Sequence, residues 1–103
     1  MISKKEIIQD AEEVAKKFLE KLNSEQQINT TINVVKKYMS YIKIFDVDSF
    51  LSINESIMDK SLIGNDETFK MLKNIVKVRK NKYSKNEMLN FLGYLARALT
   101  FYK

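Results

Sequence analysis

Seven basic residues lie between Thr68 and Lys85 with no acid among them: Lys70, Lys73, Lys77, Arg79, Lys80, Lys82 and Lys85. On a helix turning about 100° per residue, Lys70, Lys73, Lys77 and Lys80 share an arc of about 80°. Phe69, Leu72, Ile75, Val76 and Val78 fall on the other side of the same helix. A one-sided row of cations suits the phosphate backbone of RNA or another polyanion, because each neutralised phosphate releases a counterion. A face built only for stability would be expected to carry Glu spaced i,i+4 from its Lys. Lys36 and Lys37, beside Tyr38 and Tyr41, extend the RNA or anion-binding set, and Lys82 and Lys85 continue it past the row.

Other chemistry is poorly supplied. The chain has no Cys and no His, so it lacks thiolate nucleophiles, disulfides and the commonest general base and metal ligand. No Gly-rich phosphate loop is present. Glu12 with Glu13, or Asp46 with Asp48, are the nearest approaches to carboxylate pairs. Neighbouring residues on a helix do not face each other, and acids near a helix start usually cap it. The expectation is a non-enzymatic binding protein with no cofactor and no metal.

The net charge of +5 hides a division. Residues 1–67 hold nine Lys and twelve Asp or Glu, a net of −3, whereas residues 68–103 hold nine Lys or Arg against Glu87 alone, a net of +8. Such asymmetry argues for anionic partners and is silent on fold. Lys outnumbers Arg sixteen to two, which reads as AT-rich coding. The charged residues Asp10, Glu12, Glu13, Lys16 and Lys17 interrupt any apolar run after the first turn. No signal peptide or membrane span is therefore expected, and a cytoplasmic location is the default.

With 45% apolar residues, no Pro and two Gly, 103 residues suit one all-α domain, a compact bundle of four to five helices. Ser3 with Glu6 forms a capping box before Ile7, Ala11, Val14, Ala15 and Phe18, with Asn23 as the stop. Ile28, Thr30, Ile32 and Val34 alternate as a strand would. The longer series Ile28, Ile32, Val35, Met39 and Ile42 favours a helix over about 31–44, capped by Asn29, Thr30 or Thr31. Asp46 or Asp48 caps a third helix carrying Phe50, Leu51, Ile53, Ile57, Met58 and Leu62 up to Gly64. A fourth begins after Asn65-Asp66 and carries Phe69, Leu72, Ile75 and Val76 up to about Lys80. A fifth starts at the capping box Ser84 and Glu87 and is apolar around most of its circumference, as befits a central helix or one that also meets a partner.

That last helix supplies the expected protein interface: Phe91, Tyr94, Arg97, Phe101 and Tyr102. The partners would be neighbouring subunits, further copies of the chain included. Arg79 falls inside the apolar arc of its helix, so either the helix ends by Val78 or the guanidinium reaches a carboxylate. Arg97 is expected to pair with Asp or Glu in the same way. Tyr38, Tyr41, Tyr83, Tyr94 and Tyr102 read as core and rim packing before base stacking.

Three stretches together resemble the small helical subunit of the type III-A CRISPR effector complex. They are Asp10-Ala11-Glu12 with Leu19-Glu20-Lys21; Ile28-Asn29-Thr30-Thr31 leading into Val34, Lys36 and Ser40; and Phe91, Tyr94, Ala98-Leu99, Tyr102 and Lys103. They cover about half the chain. The family's Arg after its Thr pair falls on Val35, with Lys36 beside it, and the Arg of its last helix falls on Gly93. The resemblance implies an all-helical, RNA-lining subunit of an RNA-guided interference complex. A second resemblance is to class IIa bacteriocin immunity proteins, four-helix bundles without a catalytic site. It is carried by Asn81-Lys82-Tyr83-Ser84, Asn86-Glu87, Leu89, Leu92, Leu95 and Arg97. A phage-encoded inhibitor of a nucleic-acid-handling enzyme would share these features.

Overall fold

Short polar side chains start the helices. In the computed structural model, which describes residues 2–22, 24–52 and 66–102, Ser3 Oγ accepts from Glu6 N at 3.2 Å and opens α1, Lys4–Lys21. Ser24 Oγ accepts from Gln27 N at 3.2 Å and opens α2, Glu25–Ile44. Asp46, of the two aspartates expected, accepts from Ser49 N at 2.6 Å and opens α3, Val47–Leu51. After α4, Asp66–Arg79, Ser84 and Glu87 cap α5, Lys85–Tyr102, reciprocally: Ser84 Oγ accepts from Glu87 N at 3.1 Å and Glu87 Oε1 from Ser84 N at 2.8 Å. Each bond satisfies an amide that the first helical turn leaves without a partner. The expected apolar positions Ile53, Ile57, Met58 and Leu62, the stop at Gly64, and Asn23 lie outside the described residues.

The second helix corrects an expectation. It begins at Ser24 rather than at Asn29, Thr30 or Thr31, and those threonines sit in its interior. Thr30 Oγ1 donates to Gln26 O at 2.9 Å and Thr31 Oγ1 to Gln27 O at 2.9 Å. Bonding back one turn lets a Thr occupy a helix that its β-branch otherwise disfavours. Ile28, Thr31, Ile32, Val35, Tyr38 and Ile42 are buried, so helical periodicity prevails over the strand-like alternation.

The five helices of the described residues form an all-α bundle. Helix α5 is its centre, packed along α1 on one side and α2 on the other. Met88, Phe91, Leu92, Leu95 and Leu99 on α5 are buried, and meet Phe18 of α1, Tyr38 of α2, Phe50 of α3 and Leu72 and Val76 of α4 in one core. Phe50 tilts against Tyr38 with ring centroids 5.0 Å apart. The molecule measures 36 × 32 × 19 Å, about two helices in its thin direction. The α4–α5 turn is tight, with Lys82 N and Tyr83 N donating to Arg79 O at 3.0 and 2.9 Å.

Candidate functional site

Helix α4 presents its lysines along one flank. Leu72 and Val76 anchor it in the core, leaving Lys70 and Lys77 exposed and Lys73 half-buried beside them. Three further expected anion ligands make local contacts. Lys80 Nζ reaches Asp48 Oδ1 at 3.2 Å, Lys82 lies 5.5 Å from the centre of the Tyr83 ring, and Lys85 Nζ points at Phe45 O at 3.4 Å. An exposed pair such as Lys80–Asp48 is weak and readily exchanged for another anion. Val78 departs from the expected apolar side, since it is 68% exposed. The side chain of Phe69 lies outside the described residues.

Arg79 stays in the helix and finds a carboxylate. Its Nε meets Asp10 Oδ2 at 2.7 Å and its Nη2 meets Asp10 Oδ1 at 2.7 Å, a two-pronged fork between α4 and α1. Nη1 donates to Ile75 O at 3.0 Å. Tyr83 Oη donates to the same Asp10 Oδ2 at 2.6 Å, and the guanidinium lies 4.9 Å from the centre of the Phe91 ring. Burial works against the charge on Asp10, but hydrogen bonds from Arg79 and Tyr83 outweigh it and hold the carboxyl below the usual aspartate range. Burial, then the hydrogen bond to Asp10, pushes the Tyr83 phenol well up. Arg79 and Tyr83 thus converge on the one carboxylate of Asp10. It is a clamp holding α4 to α1 and α5, with its charges turned inward.

Phe91 is therefore misplaced in the expected partner interface. It is fully buried under Arg79 and beside Tyr83. On α5, the side opposite Leu95 and Leu99 is the open one: Asn90, Arg97 and Phe101 are exposed and Gly93 is half-buried. Phe101 is 80% exposed, Tyr94 is half-buried, and the side chain of Tyr102 lies outside the described residues. Arg97 corrects a second expectation. Its guanidinium lies 5.9 Å from the Tyr94 ring centre, and no carboxylate among the described residues comes within ion-pair distance.

Two hollows flank this open stripe. Toward α1, one of ≈ 430 Å³ is lined by Ile8, Glu12, Tyr94, Arg97, Ala98 and Phe101. Toward α2, one of ≈ 590 Å³ brings Lys36 and Met39 to Gly93, Ala96, Arg97 and Phe101. It continues past Met39 into another of ≈ 420 Å³ lined by Ser40, Lys43, Leu89 and Asn90. Lys36 thus belongs with Arg97 and Gly93 rather than with the α4 row. Lys37 is exposed on α2. No local motif in the sequence joins Lys43, Met39 and Gly93 as a group. Their signal was two acid-free stretches, 26–45 and 88–103, which the fold lays side by side.

Among the described residues no cluster of three or more His, Cys, Asp or Glu converges on one point, and no helix is long and apolar enough to cross a membrane. No family model, curated protein or solved structure matches the chain.

Proposed function

We propose that the chain is a non-catalytic helical subunit that holds the phosphate backbone of single-stranded RNA, in an RNA-guided interference complex of the type III-A CRISPR kind. The observation that supports this reading most is the row Lys70, Lys73 and Lys77 on one flank of α4. The buried pair Leu72 and Val76, about 110° round the helix from the row, anchors α4 in the core. Fixed cations along a helix about 10 Å long from Lys70 to Lys77 neutralise successive phosphates without reading bases. Lys80, whose partner Asp48 is 81% exposed at its side chain, extends the row when a phosphate replaces that carboxylate. The three stretches that resemble the type III-A small subunit suggest the biological context.

The test is binding of a labelled oligouridylate by fluorescence anisotropy across a salt series. The triple reversal Lys70→Glu, Lys73→Glu and Lys77→Glu should abolish binding while leaving the melting curve intact. Unchanged RNA affinity in that variant would sink the reading.

One observation favours a second reading, that of a bacteriocin immunity protein: Phe101 stands exposed near the C-terminal end of α5 between two hollows. Immunity proteins act through protein contacts at a membrane receptor. Expression in a bacteriocin-sensitive strain should then protect it, and deletion from Thr100 onward should remove protection. A sensitive strain containing the folded protein would count against it.

A further inference from the structure

We infer that the groove between α2 and α5 docks an acidic amphipathic helix from a protein partner. Its floor is apolar, made by Met39, Leu89, Gly93 and Ala96, and its rim carries Lys36, Lys43 and Arg97 with no acid among the lining residues. From Leu89 to Phe101 it runs about 18 Å, the length of a helix of about 12 residues. A Cβ at Gly93 would meet only the flexible end of Met39, Cε at 3.4 Å, whereas a side chain as large as leucine would project into the groove. Met39 lends the floor a flexible side chain that adapts to different apolar anchors.

The occupant follows from charge and shape together. An apolar floor with a rim of one sign is complementary to a helix bearing an apolar stripe at i, i+3/i+4 and i+7, flanked by Asp or Glu. RNA fits less well, because among the described residues Phe101, at one end, is the only ring lining the groove on which a base could stack. A second copy of the chain also fits less well. The exposed face of α1 mixes Glu12, Glu13 and Glu20 with Lys16, Lys17 and Lys21, so both signs would meet the cationic rim. The inference stands apart from the RNA reading, since the α4 row lines no part of this groove.

The experiment is selection of a displayed library of helical peptides of about 12 residues against the full chain, followed by anisotropy with the enriched sequences. Two variants are measured beside the wild type: Lys36→Glu with Arg97→Glu, both at exposed positions, and Gly93→Leu. The expected result is enrichment of acids beside an apolar stripe, with binding weakened about tenfold or more in each variant at unchanged melting behaviour. If Gly93→Leu fails to fold, the exposed charge reversals decide alone. Enrichment without acids, or binding indifferent to the reversals, overturns the inference. So does displacement of the peptides by oligouridylate, which would make the groove a nucleic-acid site. A concentration-dependent dimer that the reversals dissolve would assign the groove to a second copy and overturn it equally.

Discussion

The carboxylate of Asp10 and the guanidinium of Arg79 meet at two points, each 2.7 Å, although 69 residues separate them in the chain. The side chains are 16% and 17% exposed, so removing either leaves the other poorly solvated. Asp10→Asn keeps the volume but loses the charge, and Arg79→Met keeps the stem but loses the fork. Each should lower the free energy of unfolding by about 2 kcal/mol in urea titrations. In a double-mutant cycle the combined loss should be smaller than the sum, because the second removal no longer strands a charge. Additive losses would mean that the two groups do not stabilise each other.

The same cluster sets a pH window. Asp10 is held below its ordinary value of 3.8. Its contribution is therefore present above the unfolded-state value and is lost as pH falls through the lower folded value. Tyr83 is shifted the other way, above its ordinary value of 10.0, so its contribution is full below that value and lost as pH rises through the folded one. Melting temperature against pH should fall at both ends. Asp10→Asn should flatten part of the acid limb and Tyr83→Phe the alkaline limb. Asp46 and Glu87, lowered by backbone hydrogen bonds from Ser49 and Ser84, leave some acid dependence in Asp10→Asn.

Phe91 and Phe101 sit on one helix with opposite fates. Phe91 is 0% exposed and Phe101 is 80% exposed. Truncating Phe91 to Ala opens a cavity in the core and should cost about 3–5 kcal/mol, whereas Phe101→Ala should stay within about 0.5 kcal/mol of wild type. Equal losses in chemical denaturation would contradict this division of α5.

What could be read from the chain alone follows from how local each determinant is. The caps Ser3 and Ser84 act within three residues, and both were legible. The start of α2 was not, because Thr30 and Thr31 resemble caps and only their bonds to Gln26 and Gln27 reveal them as interior residues. That Arg79 needed a carboxylate was evident from its place in an apolar arc, but the identity of Asp10 depends on how α1 and α4 cross. The α5 positions Phe91 and Phe101 look alike in an all-apolar helix until α1, α2 and α4 are packed around it. Gly93 and Lys43 acquire meaning only where two acid-free helices lie side by side.

The salt dependence of RNA binding separates the α4 row from the α2–α5 groove. For single strands, the logarithm of the association constant falls with the logarithm of salt by about 0.7 per phosphate neutralised. Replacing Lys70, Lys73 and Lys77 by Gln, which removes charge without reversing it, should flatten that slope by about 2 if all three contact phosphate. Lys36→Gln with Lys43→Gln should leave the slope unchanged, since those lysines line the groove with Met39. The measurement is the anisotropy titration of one oligouridylate at several salt concentrations for each variant. A slope altered equally by both sets would show that the strand crosses from α4 onto α2. A slope altered by the groove set alone would move the RNA site off α4.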